Sequence, residues 1–222
     1  MDRYEAAKSR TRQARLELLD KLIERAEPLN LKVIPLDDIH TVSSAIAKLV
    51  AEKEPEWGTK KCVAAWRHPL IDSLNLPLIL AEQNVPVYIT DLNGHGSAMR
   101  TVEERRDEIR REIMESYIGV TSADFCLAET ATLVLKTRPN QARAVSLVPS
   151  IHVAVIELDQ VLSDLGELYA FLECDPAQKE EGLTNCMTLI SGPSKTADIE
   201  LVMVHGAHGP REVYIYVVGS GL

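Results

Sequence analysis

Three short segments carry the residue types from which a binding or active site could be built. The first, AETATLVL at 128–135, puts Glu129, Thr130 and Thr132 where one apolar run gives way to the next. A carboxylate between apolar runs is costly unless it is paired or hydrogen-bonded. Glu129 is therefore either an exposed turn residue or a poised base or nucleophile. The second segment is GPSKTADIE at 192–200. Gly192 permits a turn and Pro193 fixes the next dihedral. Ser194 or Thr196 has the chemistry to cap a following helical turn, with Asp198 inside it. Amides at such a helix start, with Lys195 beside them, would bind a small anion; the plain alternative is a capped turn. The third segment is HGAHGP at 205–210. His205 and His208 are three apart, but Gly206 and Gly209 speak against a helix holding both on one face. No third ligand follows at a suitable spacing, so no metal is expected. His208 is read as a turn residue that reaches a ligand or a strand end.

Lesser candidates surround these. The loop Asn93–Gly94–His95–Gly96–Ser97 has the composition of a segment lying over a site. Arg138 and Arg143 flank a turn, where they either hold an anionic group or are solvated. His68 beside Pro69 reads as structural. GxxxxGK[ST], GxGxxG, GxSxG and HExxH are absent from the sequence.

The elements that must position these residues alternate between strand and helix. Apolar spacing predicts one helix over 3–26, ended by Pro28, then a strand at 31–36 and a helix from His40 to about Lys53. Strands follow at 61–66 and 85–91, with a partly helical segment between. A charged helix begins at Val102. The runs FCLAE, TLVLK and VSLVP to VAVIEL read as strands, 159–173 as an amphipathic helix, and CMTLISG and VYIYVVG as the last strands. The alternation argues for an α/β fold with an open, mostly parallel sheet, and the strands are apolar on both sides as such a sheet requires.

Composition narrows the class. The chain has 222 residues, 45% of them hydrophobic, and a formal net charge of −9. That supports one sizeable core and speaks against nucleic acid as a partner, because a phosphate backbone needs a clustered basic surface. No apolar run is long enough to cross a bilayer, and the amino terminus lacks an apolar signal core, so no membrane insertion and a cytoplasmic location are expected. Cys62, Cys126, Cys174 and Cys186 lie far apart and form no cluster motif. Cys62, Cys126 and Cys186 fall in apolar runs and read as buried thiols, and Cys174 as a loop residue.

Taken in order, AETATLVL, SLVPSIHVAVIEL, ISGPSKTADIE and GAHGP resemble the LUD-domain family, strongly over the carboxyl half and in general layout over the amino half. The resemblance implies a single LUD domain over 1–222, with 1–28 as an amino-terminal helical arm. It implies a fold like that of the sugar-phosphate isomerases and CoA-transferases. It further implies a role beside iron–sulfur subunits in oxidising L-lactate to pyruvate, with a small anionic ligand. Larger relatives carry cysteine-rich cluster-binding segments; this chain has none, so no cofactor of its own is expected. The family motif falls on Glu129, Thr130 and Thr132, on Gly192, Pro193, Ser194, Lys195, Thr196, Asp198 and Glu200, and on Gly206, His208, Gly209 and Pro210. Ala131 stands where the family usually has Gly, so the turn must accept a Cβ. Lys195 stands where Arg is common, which keeps the charge and loses a bidentate grip. Three roles stay open: a subunit of a lactate-oxidising system, a stand-alone acyl-transfer or isomerase-like enzyme using Glu129, or a non-catalytic binding module.

Overall fold

The computed structural model describes residues 2–55, 60–92, 101–182, 186–197, 203–205 and 208–219, with backbone alone at 2, 196–197 and 203–205. The amino-terminal stretch forms two helices, α1 (Asp2–Lys8) and α2 (Arg12–Ala26), not the single helix that the spacing predicts. Thr11 makes the break. Its side chain accepts from the Ala14 N–H at 3.2 Å and caps α2, as a Thr at an N-cap should. Leu19 and Leu22 of α2 are buried, which stabilises by about 1.5–3 kcal/mol per fully buried side chain. The polar α1 docks on the same chain. Tyr4 donates to Asp175 at 2.8 Å and packs edge-on against Phe171, while Arg3 and Arg10 pair with Asp164 and Glu167.

In chain order there follow β1 (Leu31–Leu36), α3 (Ile39–Glu52), β2 (Val63–Trp66), α4 (Pro69–Ser73), α5 (Leu76–Ala81), β3 (Val87–Thr90), α6 (Val102–Glu115) and β4 (Ile118–Thr121). Then come β5 (Phe125–Leu127), β6 (Thr132–Lys136), β7 (Ile151–Glu157), β8 (Val161–Leu162), α7 (Leu165–Cys174) and α8 (Pro176–Glu181). The last strands are β9 (Met187–Ile190), β10 (Lys195–Ala197), β11 (Met203–His205) and β12 (Glu212–Val218).

Six strands form one sheet in the order β1-β12-β7-β4-β2-β3, with every pairing parallel. This is the open α/β sheet with flanking helices that the alternation predicts. β1 lies at an edge, where Pro35 and its missing N–H are tolerated. One face packs Val42, Ile46, Leu74 and Leu80 of the α3–α5 side against Val120, Val153 and Val155. The other face packs α2, α6 and a second sheet, through Leu22, Ile113, Cys126, Leu133, Ile156 and Ile215. That second sheet runs β8-β5-β6-β9, with β5–β8 parallel and β6 antiparallel to both its neighbours. Its outer side is closed by Leu168, Phe171 and Leu172 of α7.

Three local expectations change. VSLVP is not a strand; residues 143–146 make a 3-10 turn pressed onto β4. A Cβ on Gly119 would lie 1.9 Å from the Val145 carbonyl oxygen, so only glycine admits this approach. The stretch 159–173 is not one helix. Val161 and Leu162 pair with Cys126 and Leu127, and α7 starts only after Asp164, whose carboxylate accepts from the Glu167 N–H at 3.0 Å. Cys62 and Cys126 are buried, but Cys186 is only half-buried, and Cys174 is the last residue of α7.

Candidate functional site

β6 connects two chemically distinct ends of the molecule. At its amino end, Thr132 is 4% exposed and stands beside the residue that follows β9, because Leu133 pairs with Ile190 one step further in. The Thr132 hydroxyl lies 2.8 Å from that of Thr130 and 2.7 Å from that of Ser191. This short hydroxyl chain joins AETAT to the start of the GPSKT turn. The turn between them is strained at Ala131, which is fully buried with φ 47°. That is the left-handed region glycine favours, at the position where the family resemblance implies glycine.

The GPSKT turn is tied in turn to HGP. Gly192 adopts φ 98°, and a Cβ there would approach Leu29 to 3.4 Å. The Ser194 N–H donates to the Pro210 carbonyl at 2.8 Å, and the Ser194 hydroxyl accepts from the His208 N–H at 3.3 Å. Thr130, Thr132, Ser194 and His208 are thus brought to one neighbourhood through Ser191 and the Gly192–Pro193 corner. His208 and Lys195 are exposed.

No helix starts at Ser194 or Thr196. Lys195, Thr196 and Ala197 pair antiparallel with His205, Val204 and Met203 as the two-stranded ribbon β10–β11. No helix N-terminus is therefore offered at this turn to an anion, which must be met by hydroxyls and the Lys195 ammonium. Asp198, Glu200, Gly206 and the Asn93–Ser97 loop lie outside the described residues, as do the side chains of Thr196 and His205.

Glu129 is exposed, and its carboxylate has no hydrogen-bond or ion-pair partner among the described residues. Its N–H donates to the Ser163 carbonyl at 2.9 Å. The Ser163 N–H in turn donates to Glu167, 6% exposed and paired with Arg10. Burial works against the Glu167 carboxylate, but Arg10 and Ser163 outweigh it and hold its pKa below the ordinary value.

The site's place in the sheet bears on its chemistry. Gly192 touches Leu29, just before β1, and Ser194 bonds Pro210, just before β12. These are the amino ends of the parallel strands. Open α/β sheets take ligands outside the carboxyl ends. Glu129 itself follows the carboxyl end of β5 in the smaller mixed sheet, to which that rule does not extend, so its position lends it no catalytic weight. Among the described residues no serine or threonine of the site hydrogen-bonds a histidine or carboxylate side chain, the arrangement an activated nucleophile needs. Nor, among the described residues, do three histidine, cysteine or carboxylate side chains gather as a metal-ligand set.

Two clusters escape sequence reasoning. His152 sits inside the apolar run IHVAVI, fully buried, with Nε2 2.8 Å from the Thr121 hydroxyl and Nδ1 unpartnered. Burial pushes its pKa down to about 3. At the carboxyl end of β6, Lys136 is 2% exposed and its ammonium reaches Glu181 at 2.5 Å and Gln178 at 2.8 Å. Glu181 also binds Arg138, which pairs with Asp124 at 2.5 Å. Arg138 is thus held within the protein's own ion-pair network. A lysine closing an apolar strand was the one available signal.

Comparison with known proteins adds the following. The family model described as LUD domain matches residues 19–218. The lactate utilization protein C of Halalkalibacterium halodurans is 34% identical over 70% of this chain and 62% of its own length. The protein of the same name from a Geobacillus species is 28% identical over 70% of this chain and 61% of its own. The match thus spans about three fifths of these curated relatives. A DUF162 family protein from Deinococcus radiodurans has a solved structure that covers 92% of this chain and 98% of its own, with a TM-score of 0.56 and 21% identity. That likeness bears on the fold.

Proposed function

The chain belongs to the LUD-domain family, and from that premise we propose that it is a subunit of an L-lactate utilisation system. It works beside iron–sulfur subunits that oxidise lactate to pyruvate, and it binds a small anion itself. The names of the relatives support the system. One observation carries the anion site: the hydroxyl chain Thr130–Thr132–Ser191 runs into the turn in which Ser194 meets His208. Two segments about sixty residues apart are held together by hydroxyls at a partly exposed corner beside Lys195. Hydroxyl donors with one ammonium suit a carboxylate of lactate or pyruvate size, since hydrogen bonds to a charged acceptor are the strong ones.

The role is tested by deleting the gene in its host. Loss of growth on L-lactate, restored by the wild-type gene, is expected; normal lactate oxidation in the deletion strain would overturn the reading. The site is tested on the purified chain by melting it with L-lactate, pyruvate and inorganic phosphate, because a ligand of the folded state raises the midpoint. A rise that Ser194→Ala and Lys195→Ala reduce is expected. No rise with any of the three anions would remove the site and leave the system-level role to the deletion experiment.

A further inference from the structure

A cavity lies at the opposite end of β6 from the hydroxyl corner. Its volume is about 660 Å³, within the range of small-molecule sites, about 300–1,000 Å³. It runs between α6 and the segment 137–148 and reaches Thr90, the last residue of β3. Asn140 closes that end: its carbonyl accepts from the Thr90 hydroxyl and from the N–H of Arg67, just past β2. The cavity therefore opens at the carboxyl ends of β2 and β3. The chain passes from β2 outward to β3, whereas from β4 it runs the other way through β7 to β12. Such a reversal is where open α/β sheets place their ligands.

The lining combines two properties. Ile109, Ile113, Ala142, Ala144 and Leu147 make an apolar floor. Arg106, Arg110, Arg138 and Arg143 also line it, with no carboxylate among the lining residues, in a chain of net charge −9. Arg138 is neutralised by Asp124 and Glu181. The other three are far less engaged. Among the described residues Arg110 meets only the exposed Asp107, at 3.3 Å, and such surface pairs are weak. Arg143 contacts the Cys186 sulfur at 3.3 Å. Arg106 has no ion pair among the described residues. Arg106 and Arg110 lie one helical turn apart, so both present to the same rim.

We propose that this cavity binds an organic anion with an apolar body, the body on the α6 floor and a carboxylate or phosphate head at Arg106, Arg110 and Arg143. It is independent of the anion corner at the other end of β6. Fluorescence of 8-anilino-1-naphthalenesulfonate bound to the full chain provides the test, with displacement by decanoate, decyl phosphate and decanol. Both anions should displace the probe at concentrations at least about tenfold lower than decanol, because guanidinium hydrogen bonds to an anion are charge-assisted. The order of decanoate and decyl phosphate identifies the head group. The double variant R106A/R143A should erase the advantage over decanol while its melting temperature stays that of the wild type. Arg106→Glu, a single change at an exposed position, should weaken both anions and spare decanol. Decanol displacing as well as decanoate, or unchanged anion preference in both variants, would overturn the proposal.

Discussion

Thr132 and Ser191 hold their hydroxyls 2.7 Å apart across 59 residues of chain. Among the described residues this contact, and no charged pair, joins the two motif segments. Thr132 is buried and spends its hydroxyl on both Thr130 and Ser191. Thr132→Val keeps the shape and deletes the link. It should cost about 1–2 kcal/mol, with Ser191 left short of a partner, and should weaken any anion effect on melting. Urea unfolding with an unchanged m-value would check the first part. A loss below about 0.3 kcal/mol would show the link to be incidental.

Two single-methyl changes should behave differently. Gly192→Ala places a Cβ at φ 98° and should cost about 1–2 kcal/mol. Ala131→Gly relieves similar strain at φ 47°. It also gives up a buried methyl, about 0.8 kcal/mol, and adds about 0.4–1 kcal/mol of unfolded-state freedom. The net change should stay within about 1 kcal/mol of zero. Denaturation midpoints of the two variants check this, and a large loss on Ala131→Gly would mean that methyl packing dominates the turn.

The buried Lys136 makes an asymmetric prediction. Glu181→Gln leaves its ammonium without a carboxylate and should destabilise by about 3–5 kcal/mol. Lys136→Met removes the buried charge, and Glu181 keeps Arg138. That variant should come within about 1.5 kcal/mol of the wild type. Equal losses in the two would show that the pair contributes net stability.

His152 sets a pH dependence. Its folded pKa of about 3 lies below the ordinary 6.5, so the unfolded chain takes up the proton first. The contribution is whole above about pH 6.5 and is lost as pH falls from there toward 3, at up to about 1.4 kcal/mol per pH unit. The double variant T121V/H152L removes both partners together and should flatten that part of the stability curve. Urea midpoints between pH 4 and 7 measure it, and an unchanged slope would assign the acid sensitivity elsewhere.

How much of this was legible in the sequence follows from how local each cause is. VAVIEL and VYIYVVG read as strands because their apolar runs are nearly continuous and the sheet is covered on both faces there; LKVIPL, broken by Lys32, reads as the edge strand it is. Ala131 places a Cβ where the family resemblance implies glycine, and it does adopt a left-handed φ. Thr11 hides the break between α1 and α2 because it lies in a polar stretch, ahead of the apolar stripe, where no pattern registers an interruption. Val161 matches a helical stripe as well as it matches β8, and only its pairing with Cys126 decides. GPSKT carries helix-capping residues, yet Lys195 and Thr196 pair with a strand near residue 204 and the Ser194 N–H goes to Pro210. Arg106 and Arg110 read as part of a solvated helix face. Their cavity depends on residues 137–148, a contact no local pattern encodes.

The position of β12 between β1 and β7 has a consequence for synthesis. Lys32 bonds Tyr214 across 182 residues, so β1 has no neighbour in the sheet until almost the whole described chain has left the ribosome. β1 must wait on β12 to find its place, and α2, which packs on β1 and on residues 158–162, waits on most of the described chain as well. Emerging chains would then hold Leu19, Leu22 and Leu31 uncovered for most of translation, a window in which a chaperone or a misplaced strand edge competes for them.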